Sequence, residues 1–233
     1  MSRRIYLGFM AENLANDSKI SSKDSKGANT SSFTQGTAAR QPTFKSEENT
    51  DSSVAGVSTA SCDGSNYLSL ATSETLAVVT PCTIIVAWTS ADYTNDTWLL
   101  SSSTGDGHYG IKSGGRGAIF KGAASKSPEN SIATNTTAGV TTAYTFGSDV
   151  EMIAFVNDGA NKIDIYNIDG DLIGTSTAAG NSSAFPIDHV LGKSDGTLGL
   201  NAEILDISIF GNTEMSQDLI IGFGNKYKQF RDL

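Results

Sequence analysis

The feature that most constrains this chain is a recurring series of short runs rich in β-branched and aromatic residues, each closed by Gly, Asp, Asn or Ser. They are NYLSL (66–70), CTIIVAW (82–88), TWLLSSS (97–103), GAIFK (117–121), TAYTF (142–146), VEMIAFV (150–156), KIDIYNI (162–168), LIGTS (172–176), HVLGK (189–193) and NAEILDISIF (201–210). Runs of this length and composition read as strands, and no helical periodicity intervenes between them. That succession predicts an all-β protein, an antiparallel sandwich or barrel. A length of 233 residues fits one such domain with an extension.

Helical spacing occurs once, at the end. In NTEMSQDLIIGFGNKYKQF, Leu219, Ile220, Phe223, Tyr227 and Phe230 recur three or four apart after a capping Asn212 or Ser216. The stripe predicts a short C-terminal helix lying as a lid on a sheet, although Gly222 and Gly224 interrupt it.

The other end is different in kind. Residues 13–37, NLANDSKISSKDSKGANTSSFTQGT, have almost no apolar side chains and no period, so alone they cannot offset the entropy of ordering. The reading therefore divides the chain into an extended arm, 1–38, with RRIYLGFM as anchor or first strand, and a body, 39–233. Such an arm either packs on its own body or lies along neighbouring subunits of a large assembly. The second is favoured, because a polar segment gains little from docking unless a partner supplies paired backbone groups. On that reading, deleting 1–38 leaves a folded body.

Charge removes several function classes. The net charge is −9, and it is uneven: residues 1–50 carry seven Lys or Arg against five acids, the remainder nine against twenty. An acidic body lacks the clustered cations that phosphate neutralisation needs, so nucleic acid is excluded as a partner. No apolar run approaches the roughly 20 residues of a membrane-spanning helix, and MSRRIYLGFMAENL lacks the features of a secretory signal. Cys62 and Cys82, each within a strand-like run, read as buried thiols.

The order of several stretches resembles the concanavalin A-like jelly roll, in its laminin-G-like form found in phage virion and bacterial surface proteins. They are ARQPTF (39–44), CDGSNYLSL (62–70), TIIVAW (83–88), KIDIYNIDGDLIG (162–174) and NAEILDISIFGNTEMSQDLIIGFGNKY (201–227). The resemblance implies a jelly-roll β-sandwich over about residues 39–233, ending in a strand and a short helix. One such fold hosts lectins, glycanases, adhesion modules and spacers, so function has to be sought in sites.

Glycanases of this class carry a Glu-x-Asp-x-x-Glu type of run, with carboxylates on one strand face as base and acid. Nothing here matches it: Glu151 stands alone, and Glu203 and Asp206, three apart, fall on opposite faces of a regular strand. GDGHYG (105–110) satisfies G-x-G-x-x-G, but IKSGGRG follows where a helix would have to start, so it reads as a glycine-rich turn. The chain has no G-x-S-x-G elbow, Walker loop or zinc spacing. His108 reads as a loop residue, and His189 as lying in or beside a strand that lines up with the final one. The run KIDIYNIDGDLIG fails as a calcium loop, because Ile165 and Ser176 stand where the first ligand and the bidentate Glu are required; Asp169-Gly170 instead offers the positive φ values of a tight hairpin.

One turn remains. In ADYTNDTW (91–98), Asp92, Asn95 and Asp96 are oxygen donors suited to calcium, in a D-Y-x-N order that resembles the metal loop of legume lectins. Calcium is the one cofactor the sequence suggests. Tyr93, Trp98 and Tyr109, with Asn95 and His108, make the 91–110 turns the default carbohydrate-binding face, in which aromatic planes stack on sugar and amides bond its hydroxyls.

Two functions follow. The leading one is a non-enzymatic structural component of a virus particle, a phage capsid decoration or tail protein made in the host cytoplasm. It would be present in many copies or as a homo-oligomer, attached to other virion proteins through the arm and displaying the jelly roll. The alternative is a carbohydrate-binding, lectin-like adhesion module that takes a host-surface glycan on the 91–110 turns.

Overall fold

The three longest apolar runs lie side by side at the centre of one sheet, which explains why they lack the alternation of a half-exposed strand. The structure is a computed structural model, and it describes residues 4–9, 14–24, 26, 32–46, 57–70, 76–78, 81–94, 97–101, 107–112, 116–121, 139–141, 144–147, 149–160, 162–176, 185–192, 197 and 199–230. In chain order these form β1 (Arg4–Gly8), β2 (Ser22–Asp24), β3 (Ser32–Thr34), a 3-10 turn (Ala38–Arg40), β4 (Thr43–Lys45), β5 (Thr59–Asp63), β6 (Leu68–Leu70), β7 (Leu76–Val78) and β8 (Cys82–Asp92). There follow β9 (Thr97–Ser101), β10 (Gly107–Lys112), β11 (Arg116–Lys121), β12 (Gly139–Thr141), β13 (Glu151–Asn157), β14 (Ile163–Tyr166), β15 (Leu172–Ser176), β16 (Phe185–Ile187), β17 (His189–Val190), β18 (Asn201–Gly211) and α1 (Gln217–Lys228).

The first sheet runs β15-β14-β13-β8-β18-β5-β4, with β1 also paired to β18; the second runs β12-β11-β10-β9-β17-β6-β3-β2; β7 and β16 form a separate ribbon. Pairing is antiparallel throughout these strands. The protein is a jelly-roll β-sandwich, as the strand pattern and the resemblance imply.

Both faces of the first sheet are covered. Ile84, Val86 and Trp88 of β8 join Ile153, Phe155, Ile207 and Ile209 in the core that meets Leu68, Leu99, Leu100 and Val190 of the second sheet. The alternate residues Ile85, Ala87, Met152, Ala154 and Leu205 join Ile220 and Tyr227 of α1 in a second core on the outer face. At about 1.5–3 kcal/mol for each fully buried large apolar side chain, these two layers dominate the stability of the fold.

Helix α1 begins after Ser216, whose carbonyl accepts from the Leu219 and Ile220 amides, and it has Asp218 in its first turn and Lys226 and Lys228 in its last, as its dipole favours. It is the expected lid, with one difference: Leu219 is 57% exposed. Ile220, Phe223, Gly224 and Tyr227 are the positions that share a face, and Leu219 falls beside it. Gly224 sits in the contact because a Cβ there would come within 1.8 Å of the Ile168 carbonyl oxygen. Asp206 is fully buried beneath the helix and accepts from Lys226 Nζ at 3.1 Å and Ser208 Oγ at 3.0 Å.

The segment set apart as an arm is woven into both sheets. β1 runs antiparallel along β18, from Arg4 opposite Phe210 to Gly8 opposite Asp206, and β3 pairs β6 in the other sheet. Leu7, Phe9, Ile20 and Phe33 are buried in the main core. These few apolar residues, at wide spacing, anchor the described part of the segment, in which β1 and β3 pair with the body's own β18 and β6.

Other expectations are adjusted. HVLGK forms a strand only at His189–Val190, because Leu191 turns to φ +70, and that strand pairs β6 and β9 rather than the final strand. Residues 144–147 of the TAYTF region are irregular. From Gly107 onward GDGHYG is strand, not turn. At the 167–171 hairpin only Gly170 has positive φ, +78, and the Asn167 side chain closes the turn by accepting from the Asp169 and Asp171 amides. Cys62 and Cys82 are buried thiols, neither in a disulfide, and burial pushes the Cys62 thiol far above its ordinary value.

Candidate functional site

β8 leaves the core through Ser90, a non-glycine residue at φ +53, where its pairing with β18 shifts register between Asn201 and Glu203. The shift, a β-bulge, places Asp92 opposite Asn201. On its other side Asn201 lies opposite Asp63, the last residue of β5. Asp63, Asn201 and Asp92 therefore form an exposed row across three adjacent strands at one end of the first sheet. The Asn201 side chain hydrogen-bonds Asp92.

Each aspartate closes the same local device. Asp92 Oδ1 accepts from the Thr94 amide at 2.9 Å and its hydroxyl at 2.5 Å. Asp63 Oδ1 accepts from the Ser65 amide at 3.0 Å and its hydroxyl at 2.6 Å. These are turns in which a carboxylate mimics the backbone acceptor two residues back. Asn66 tightens the second one, accepting from the Asp63 amide at 2.6 Å and donating to the Gln41 carbonyl at 3.1 Å. Gly64, at φ +85, lets the chain reverse close to Asn201, and its carbonyl accepts from the Gly199 amide at 2.9 Å. Three chain segments are thus held at fixed spacing.

The electrostatics follow. The Thr94 hydroxyl and amide hold Asp92 below the usual carboxylate value. Partial burial works against ionisation of Asp63, but the Ser65 hydroxyl and amide, with Lys19 nearby, outweigh it and hold that group low as well. Both are ionised acceptors near neutrality, so neither has a proton to give to a glycosidic oxygen. The rim offers carboxylate and amide oxygens, and the lone pairs of two hydroxyls whose protons point inward. It suits a ligand rich in hydroxyl donors.

Under the rim lies an aromatic support. Trp88 Nε1 donates to Tyr93 Oη at 2.7 Å, which donates to the Gly147 carbonyl at 3.0 Å, and the Gly147 amide donates to Glu151 Oε1 at 2.9 Å. Phe146 packs edge-on against Trp88 and Tyr144.

The expected site residues are dispersed. Asp92 is on the rim. Tyr93 turns inward and spends its hydroxyl on Trp88 and Gly147, and burial pushes its pKa up. Trp98 is only 4% exposed and offers no plane to a sugar, because β9 is covered on both faces, all five of its residues being buried. His108 and Tyr109 lie in β10, opposite Ser101 and Leu100 of β9, so they are strand positions and not turn residues. Asn95 and Asp96 fall outside the described residues. Among the described residues no group of three His, Cys, Asp or Glu side chains is placed to hold a metal. Glu203 and Asp206 share the outer face after all, because a register shift between Ile204 and Asp206 breaks the alternation; both are buried, Glu203 accepting from Thr59 Oγ1 at 3.2 Å.

Sequence reasoning missed Asp63, Ser65, Thr94 and Asn201. The D-x-S and D-x-T spacings of the two turns are visible in CDGSNY and ADYTND, but Asn201 joins them only through strand register.

No family model matches the chain, and no curated protein matches it. Solved structures do. The binding domain of Paraclostridial Mosquitocidal Protein 1 aligns over 97% of this chain and 52% of its own at 13% identity and a TM-score of 0.54. The receptor binding domain of botulinum neurotoxin D aligns over 91% and 53% at 14% identity, TM-score 0.51. A botulinum neurotoxin type C structure, described by the dependence of cell entry on interaction with two ganglioside molecules, aligns over 97% and 51% at 11% identity, TM-score 0.51. The chain spans about half the length of each of these. At such identities the likeness is one of fold.

Proposed function

We propose that the protein is a non-enzymatic carbohydrate-binding module that takes the hydroxyl groups of a glycan on the rim built from Asp63, Asn201 and Asp92. The observation that carries this reading is that row: three exposed polar side chains, aligned across β5, β18 and β8 and braced by the Ser65 and Thr94 turns. Rigid, closely spaced acceptors discriminate among vicinal hydroxyls, because a ligand lacking one leaves a partner unpaired. The fold shared with toxin binding domains, one of them from a toxin whose cell entry depends on gangliosides, supports a binding role. The ionised aspartates, on a chain of net charge −9, favour neutral sugars over sialylated ones.

The virion reading loses its main support. The described residues of 1–38 include β1, β2 and β3, which pair within the chain, so the segment no longer speaks for attachment to other virion proteins.

A glycan array of neutral and sialylated structures, run with and without chelator, tests the proposal. We expect a neutral-glycan signal that falls at least about tenfold in Asp92→Ala and Asn201→Ala, each still folded by circular dichroism, as loss of one charged or bidentate hydrogen bond implies. Signal lost on chelation shows that a divalent cation takes part in binding. No neutral-glycan binding, or binding indifferent to both substitutions, refutes the rim.

A further inference from the structure

We infer that the face of the second sheet turned away from the core carries, at β6 and β17, a site distinct from the rim that takes a carboxylate-bearing pyranose, a hexuronate. Its groups come from three places in the chain. Tyr67 just precedes β6, His189 opens β17 opposite Ser69 of β6, and Arg40 ends the 3-10 turn. Alternation puts Tyr67 on the same face as Ser69, hence beside His189, and the two rings stand 5.6 Å apart. Leu68 and Val190 of the same two strands point the other way, into the core. The Tyr67 amide donates to the Arg40 carbonyl at 3.2 Å, which holds the arginine beside the tyrosine ring before any ligand arrives.

Arg40 carries the argument. Its Nη1 donates to Tyr67 Oη at 3.4 Å, a long hydrogen bond, and its guanidinium carbon lies 5.8 Å from the centre of the Tyr67 ring. Among the described residues no carboxylate pairs with it, so most of its N–H donors are left for a ligand. The imidazole has the opposite character. Asp188 accepts from His189 Nδ1, which makes Nε2 of the neutral ring an acceptor. His189 is only 8% exposed, yet Nε2, with no partner among the described residues, is not one of the side-chain atoms sealed off from solvent, so it opens outward. A guanidinium fork matches a carboxylate with two parallel hydrogen bonds, and Nε2 matches a hydroxyl. Both flank one phenol ring, a span that a single pyranose with its carboxylate covers. A neutral sugar leaves the fork unmatched, and a sulfate has no proton for Nε2. The chain is acidic as a whole, but exposed charges more than about 8 Å away are screened at physiological salt, so the local cation decides.

The test is titration of the full chain with methyl glucuronide, followed by amide NMR shifts, with methyl glucoside, acetate and sulfate as separate arms. Saturable shifts are expected at Arg40, Tyr67 and His189, with glucuronide at least about tenfold tighter there than each of the other three, the scale of one charge-assisted hydrogen bond. Arg40→Met, which keeps a stem over the tyrosine ring and removes the charge, should weaken glucuronide by a similar factor, while Lys228→Met, with the same change in net charge, should leave it unchanged. The shifts on the unmodified chain stand even if Arg40→Met fails to fold. Glucoside, acetate or sulfate binding there as tightly as glucuronide, equal effects of the two substitutions, shifts confined elsewhere, or no saturable shift overturns the inference. The amides of Asp63, Asp92 and Asn201 report the rim in the same spectra, so the two proposals fail separately.

Discussion

Two glycines two residues apart in one helix should respond to alanine in opposite directions. Gly222 faces open space, with no atom within 4 Å of a Cβ built on it, whereas a Cβ on Gly224 would stand 1.8 Å from the Ile168 carbonyl oxygen and 2.9 Å from its carbon. Alanine is favoured over glycine in a helix interior by about 0.8–1.0 kcal/mol, so Gly222→Ala should stabilise by close to that amount. Gly224→Ala starts from the same gain but must widen a backbone contact from 1.8 Å to at least 3.0 Å. Ile168 belongs to the 167–171 turn, which Asn167 ties together and which Gln217 Nε2 bonds at the Gly170 carbonyl at 2.8 Å, so the yielding part is the helix. Lifting it loosens Ile220 and Tyr227, both fully buried against the outer face of the first sheet. Overpacking of about 1–3 kcal/mol, together with partial loss of two large buried side chains, gives a net cost of about 2–4 kcal/mol. For a chain of this length, 1 kcal/mol shifts Tm by about 2–4 °C. Thermal or urea unfolding should therefore place Gly222→Ala above the parent and Gly224→Ala several degrees below it. Equal stabilisation by both would refute the docking of α1 on this turn, and destabilisation by Gly222→Ala would refute its exposure.

Removing the ammonium of Lys226 should leave the buried Asp206 carboxylate to Ser208 alone. Breaking a buried pair costs about 3–5 kcal/mol, but Lys226 is 39% exposed, so Lys226→Met should cost less, about 1–3 kcal/mol in urea unfolding; a neutral result would show that the pair does not hold the helix. Deletion of residues 1–38 takes Leu7, Phe9, Ile20 and Phe33 out of the core and strips β1 from β18, so the shortened chain should lack dispersed amide resonances; a well-dispersed spectrum would show the core closing without them. Because Asp63 is held below its ordinary value of 3.8, it contributes stability that is fully present above that pH and is lost as pH falls through the lowered value. Asp63→Asn should therefore lower stability at neutrality and flatten the acid limb below 3.8, and an unchanged acid limb would refute the Ser65 turn as its cause.

The strands were legible where the physics is local, and the site was not, because it is built by register. CTIIVAW, VEMIAFV and NAEILDISIF announce themselves as strands, and their lack of alternation already hints at a sheet covered on both faces. β2 and β3 are three-residue strands with one inward side chain each, Lys23 and Phe33, and no window of polar sequence distinguishes them from a loop. The place of Trp98 and Tyr93 beside a turn suggests exposed planes, yet exposure depends on what packs on the faces of the sheet: β9 is buried on both, and Tyr93 has the Trp88 indole within reach. The same bulge that frustrates a period-of-two reading explains the rim. Without the register shift at Ser90, alternation along β8 would continue, and Asp92 would share the inward face of Trp88. An extra residue re-aims it outward, beside an amide 109 positions away in sequence and a second aspartate 29 positions away in the other direction. A bulge at the end of a central strand, followed by a carboxylate-closed turn, is therefore the local mark to look for when strand composition alone gives no site.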